Sequence, residues 1–141
     1  MAEPFPRGPL VLPADLEKAI TAHMRGAYPQ EGCGLLAGAA GRVLAWFPCR
    51  NVHPDPLMAY EADPRDLIAA FRKMEARGWE LLAICHSHPQ SRARPSAADV
   101  RQANYPEALY LIWSLADRDR PEVRGFWIRG GQVTEHPVRV E

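Results

Sequence analysis

The segment ICHSHPQSRARPSAADV, residues 84–100, gathers His86, His88, Ser96 and Asp99 into one short span. Two imidazoles and a carboxylate are a donor set for zinc. Three protein ligands leave the fourth position open to water, which is the catalytic arrangement. On a strand, residues i and i+2 share a face, so His86 and His88 can reach one ion while Ser87 points away. Pro89 ends strand pairing and turns the chain. Asp99 then falls in the first turn of the next helix, one loop away.

A purely structural reading competes for two of these residues. SAAD has the form of a capping box, in which Ser96 caps a helix and Asp99 favours its positive end. That accounts for Ser96 and Asp99 without a metal, but leaves the histidine pair unexplained.

The elements that must position these groups are legible in outline. PLVLPADLEKAITAHMRGAYPQ reads as a short strand and a helix, with Leu16, Ile20 and His23 or Met24 at helical spacing and Gly26 and Pro29 ending the run. GCGLLAG and RVLAWFPC read as two strands joined at AAG, followed by an irregular stretch, VHPDPLMAYEA. DPRDLIAAFRKMEARG is the clearest amphipathic helix: Asp63 suits the N-cap, Pro64 the first helical position and Gly78 the end. Leu67, Ile68, Phe71 and Met74 are its expected buried face. WELLAICHSH is nearly continuous in apolar residues, the pattern of a central strand covered on both faces. A helix opening at Ser96, a strand in ALYLIWSL and a hairpin turning at Gly130-Gly131 complete the chain. Strands interleaved with helices predict an α/β sandwich: a mixed β-sheet flanked by helices, one domain over 9–141 behind a loose tail at 1–8.

Composition narrows the function classes. The chain has 141 residues, 47% hydrophobic and 24% charged, with zero formal net charge, so no electrostatic pull toward nucleic acid or an anionic membrane is expected. No apolar run approaches the ~18 residues that span a bilayer. Cys33, Cys49 and Cys85 form no CxxC pair, which argues against a disulfide framework and for reduced thiols in the cytoplasm. His23, His53 and His136 have no partners in sequence and read as surface or capping residues, with His53 alone placed to line a cleft.

HSHP, with seven residues between His88 and Ser96 and two more before Asp99, resembles the JAMM motif of the MPN-domain metalloproteases. That motif also has a glutamate upstream, beside a glycine-rich strand, and Glu31 in QEGCGLLAG matches it. The likeness continues through Arg50-Asn51, LYLIWSL and FWIRGGQVTEHPV. It implies the mixed-sheet sandwich of that family, which is cytidine-deaminase-like. It also implies that His86, His88 and Asp99 bind Zn²⁺, that Glu31 is the base hydrogen-bonded to the metal water, and that Ser96 assists the developing oxyanion. Cys85 departs from the pattern, where a bulky residue commonly precedes the first histidine. It reads as core packing, with a thiol-sensitive site as the sharper alternative. Cys33 reads as a buried small hydrophobe.

The connections between Asn51 and Asp63 and between Asp99 and Leu109 are short, so the chain is similar to the compact prokaryotic type. The resemblance then implies a zinc isopeptidase or peptidase cutting after the C-terminal Gly-Gly of ubiquitin-like, β-grasp sulfur-carrier proteins. A hydrolase that frees cysteine from such a carrier is the alternative, and a non-catalytic MPN scaffold a further one. A nucleobase deaminase requires HxE and PCxxC, and neither occurs. An extended tail is expected to pair with the Val52–Tyr60 loop or the GCGLLAG strand, and close backbone approach to favour glycine.

Overall fold

The computed structural model describes residues 8–141, so the expected tail falls almost wholly outside the described residues. The elements in chain order are β1 (Leu10–Leu12), α1 (Ala14–Ala27), β2 (Cys33–Ala39), β3 (Arg42–Cys49), α2 (Pro64–Arg77), β4 (Glu80–His88), α3 (Ala97–Arg101), β5 (Leu109–Ser114), β6 (Glu122–Arg129), β7 (Gln132–His136) and β8 (Val138–Val140). All eight strands join one sheet in the order β7-β6-β5-β4-β2-β3-β1-β8. The sheet is mixed, as expected: β4 with β5, and β1 with both β3 and β8, are parallel, and the remaining pairs are antiparallel.

Side-chain alternation divides the core into two layers. On one face Ile20 and Met24 of α1 pack with Leu36, Leu82, Cys85, Leu111 and Trp113. On the other, Ala70 and Met74 of α2 pack with Leu35, Ile84, Tyr110 and Ile112. β4 lies between these layers and is buried from Leu82 to His88. Its apolar run therefore has the predicted cause.

α2 begins and ends where local chemistry places it. The Asp63 carboxylate accepts the Arg65 N–H at 2.9 Å, Pro64 opens the helix, and Gly78 closes it in a left-handed conformation with φ of 69°. Its buried face differs from expectation. Ala70 and Met74 are buried and Leu67 partly so, whereas Ile68 is 52% and Phe71 36% exposed. The small Ala70 sits at the centre of the contact, so the helix seats on the 67/70/74 stripe. Ile68, one residue or about 100° further round, turns outward.

Other expectations need correction. Both edges of β2 are bonded, one to β3 and one to β4, so GCGLLAG offers no edge to an incoming tail. His23 and His136 have structural partners: His23 Nε2 lies 3.1 Å from the Cys33 carbonyl, and His136 Nδ1 accepts the Trp127 indole N–H at 3.2 Å. The final hairpin also continues past Pro137 into β8, which crosses to pair with β1.

β2 carries a register irregularity around Leu36, Ala37 and Gly38. A Cβ on Gly38 would lie 2.0 Å from the backbone oxygen of Arg42, a contact no side-chain rotation relieves. Gly38→Ala is therefore expected to cost about 1–3 kcal/mol. Urea unfolding measures this, and an unchanged midpoint would contradict the register described.

Candidate metal centre

β4 presents His86 and His88 on the α2 face of the sheet, and the serine between them works on the other side. Ser87 Oγ accepts the Gly32 N–H at 2.8 Å, and the Ser87 N–H donates to the Gly32 carbonyl at 3.0 Å. This two-bond clamp fixes the segment carrying Glu31 beside the histidine pair. Sequence reasoning took Ser87 only as a residue pointing away.

Asp99 reaches the same point from α3. Its Oδ2 lies 3.2 Å from His86 Nε2 and 3.0 Å from His88 Nε2, and the two nitrogens are 3.1 Å apart. The capping box is present as well: Ser96 Oγ accepts the Asp99 N–H at 3.0 Å, and Asp99 Oδ2 accepts the Ser96 N–H at 2.9 Å. The two readings of SAAD are thus one arrangement, because the cap holds the carboxylate that meets the histidines.

The three atoms suit a cation. A tetrahedral ion with 2.0 Å bonds has face edges of about 3.3 Å, close to the near-equilateral triangle observed. The His88 Nδ1 lies 2.8 Å from the Arg92 carbonyl. A carbonyl can only accept, so Nδ1 carries the proton and neutral His88 turns a bare lone pair on Nε2 toward the triangle. His86 is 1% exposed and burial lowers its pKa, which keeps it neutral. Burial also disfavours ionised Asp99, but its close contacts with His86 and His88 outweigh it and hold the carboxyl well below its usual range. For His88, burial opposes protonation, and the Asp99 and Arg92 contacts overcome it to raise the pKa. Among the described residues, His86, His88 and Asp99 form the group of side chains able to hold a metal ion.

Glu31 is 7% exposed, and burial pushes its carboxyl pKa up to about 7. The charge of His88 acts against this shift and that of Asp99 adds to it, which places Glu31 within electrostatic reach of the triangle. Its backbone is tied at both ends of the peptide unit. The N–H donates to Pro56 O at 2.8 Å, and the carbonyl accepts from Asn51 Nδ2 at 2.9 Å. Asn51 also donates to Ala59 O and accepts the His53 and Glu61 N–H groups. One amide thus organises the whole irregular loop around Glu31. Glu31, His88 and Ser96 line one cleft together with Leu57, Met58 and Gln90.

All five predicted residues therefore converge. Asn51 was noticed only as part of a likeness, and Tyr60 was missed. The Tyr60 ring stacks on His86 at 4.5 Å and 18°, a contact across the fold with no local sequence signal. His53 turns into its own loop, where Nδ1 accepts the Asp55 N–H at 2.9 Å. Cys85 is fully buried on the α1 face with its thiol pKa raised by burial, in keeping with packing. Cys33 is buried with its thiol pushed up to about 12, first by burial.

The profile of a family described as prokaryotic homologs of the JAB domain matches residues 13–129. The CysO-cysteine peptidase of Mycobacterium tuberculosis is 39% identical over 93% of this chain and 90% of its own. A probable TtuB-protein conjugate cleaving protease of Thermus thermophilus is 44% identical over 87% of this chain and 78% of its own. A Desulfitobacterium hafniense protein solved in solution superposes with a TM-score of 0.84 at 36% identity, covering 93% of this chain and 92% of that one. With a converging His-His-Asp triangle and a family match over most of its length, the chain belongs to the prokaryotic JAB-domain family.

Proposed function

We propose that this protein is a zinc-dependent peptidase that hydrolyses the amide bond after the C-terminal Gly-Gly of a ubiquitin-like sulfur-carrier protein. The observation that carries this reading is the triangle of His86 Nε2, His88 Nε2 and Asp99 Oδ2 beside a buried Glu31 whose pKa is about 7. The relatives with the names given above support the substrate class.

His86, His88 and Asp99 would hold the ion. Bound there, Zn²⁺ supplies Lewis acidity and lowers the pKa of water from 15.7 to roughly 7. Glu31 takes a proton from the attacking water and returns it to the departing amine nitrogen, a shuttle that a carboxyl poised near neutrality performs well. The Ser96 hydroxyl uses one lone pair to accept the Asp99 N–H, which leaves its O–H free to donate to the carbonyl oxygen as charge develops. Leu57, Met58 and Gln90 line the cleft beside Glu31 and His88; release of a cysteine adduct is the second reading, carried by the name of the Mycobacterium tuberculosis relative.

The ligand assignment separates from capping by experiment. His86→Ala with His88→Ala removes two donors and should abolish both stoichiometric zinc and turnover; retained zinc by metal analysis would sink the assignment. For Asp99→Asn, capping alone forecasts a loss of about 0.3–1 kcal/mol with zinc unchanged. The ligand role forecasts zinc loss as well.

Glu31→Gln should keep zinc and fold while turnover drops by about 10²–10⁴-fold, the usual contribution of a general base. Loss of zinc in this variant would make Glu31 a ligand instead.

The raised Glu31 pKa also has a thermodynamic sign. Between the ordinary value of 4.5 and about 7, the folded protein binds more protons at this site than the unfolded chain. Stability of the metal-free protein from this group therefore falls as pH rises through that window. Chemical denaturation at pH 5 and pH 8 should show a smaller loss for Glu31→Gln than for the unmodified chain. An equal loss would place the Glu31 pKa near its ordinary value.

A further inference from the structure

The two histidines of the triangle are supported unequally. His88 Nδ1–H donates to the Arg92 carbonyl at 2.8 Å, the usual way a ligand imidazole is held in plane. The corresponding nitrogen of His86 has no such bond. Among the described residues, His86 Nδ1 is the buried side-chain nitrogen or oxygen left without a hydrogen-bond partner. Its neighbours across the sheet offer it none. Cys33 on β2 and Ile112 on β5 stand beside it in register. The Cys33 thiol is directed to the Cys49 carbonyl at 3.7 Å, and an isoleucine side chain has no acceptor.

His86 has an aromatic face instead. The Tyr60 ring lies 4.5 Å from it at 18°, close to parallel. Such a face carries partial negative charge. An imidazole whose Nε2 gives its lone pair to a cation becomes electron-poor, so the stack strengthens with a metal bound, in the sense of a cation–π contact. The contact therefore holds the ring in plane and also favours the metal-bound state over the metal-free one.

Tyr60 is placed by its backbone more than by close packing. Its ring lines an apolar cavity of about 150 Å³, which leaves room beside it. The residues on either side are tied to one amide. Asn51 Nδ2 donates to the Ala59 carbonyl at 3.0 Å, and Asn51 Oδ1 accepts the Glu61 N–H at 3.0 Å. The Val52 N–H adds a bond to the Glu61 carbonyl at 2.8 Å.

We propose that Tyr60 is a positioning residue for the metal, supplying by stacking the support that His86 lacks in hydrogen bonds, and so setting how tightly zinc is retained. The inference rests on the reading of His86, His88 and Asp99 as the metal site, and adds a residue that lies outside the matched motif.

The test measures zinc affinity and release on the full chain by competition with a chromogenic chelator. Tyr60→Phe keeps the ring and should hold zinc within about twofold of the unmodified chain. Tyr60→Leu keeps apolar bulk without an aromatic face. It should bind zinc about tenfold more weakly or worse, the usual cost of losing a ligand's support, and release it correspondingly faster. Cobalt(II)-loaded protein should show the same order, with visible bands shifted in Tyr60→Leu and unchanged in Tyr60→Phe. Should Tyr60→Leu lose its fold by circular dichroism, Tyr60→Met, whose flexible side chain fills irregular space, is read with the same expectation. Equal zinc affinity in Tyr60→Phe and the folded non-aromatic variant overturns the inference and leaves the metal centre standing. An unmodified chain that takes up no zinc overturns both.

Discussion

Three acceptor atoms held about 3 Å apart in a buried place repel one another unless positive charge lies among them. His86 Nε2, His88 Nε2 and Asp99 Oδ2 are in that position, and the surrounding structure acts to keep them there. The Arg92 carbonyl fixes the His88 tautomer, Tyr60 fixes the plane of His86, and the α3 cap fixes the Asp99 carboxylate. Each support comes from a different element. Preorganisation of this kind means that a cation entering the triangle meets ligands already in place, so its binding need not pay for ordering them.

Several residues carry two duties by using different atoms. Ser96 accepts with a lone pair for the cap and retains its hydroxyl proton for chemistry. Ser87 takes no part in the triangle, yet through Gly32 it decides where Glu31 stands. Glu31 gains its raised pKa from burial, and its backbone carbonyl is held by the same Asn51 amide that ties the following loop together.

Legibility in the sequence followed the range of the interactions. The limits of α2 were readable because Asp63, Pro64 and Gly78 act on their own neighbours. The β4 histidines were readable because a two-residue alternation needs only a strand. Asp99 was readable from local pattern both as a cap and as a third donor beside His86 and His88, and the resemblance then favoured the ligand role. The facing of α2 was misjudged by one step, because hydrophobicity alone does not register that the small Ala70 lets a helix approach a sheet. Tyr60 was obscure because its partner His86 is distant in the chain, and Asn51 because a single amide bonding several backbone groups of one irregular loop follows no residue pattern. His23 and His136, read as surface groups, proved to be bonded across the fold.

β7 and β8 stand at opposite ends of the sheet order, yet only Pro137 separates them in the chain. The sheet's two margins are therefore linked covalently, and β1, the first strand made, finds its second neighbour in β8, the last. During synthesis on a ribosome β1 has neither β3 nor β8 to pair with until later segments emerge, and the β8 contact waits for nearly the whole described chain. Contacts so far apart in sequence form slowly because loop closure must precede them. The fold is thus sealed from its C-terminal side, and a nascent chain halted before Val138 exposes one edge of β1 to whatever other strand is nearby.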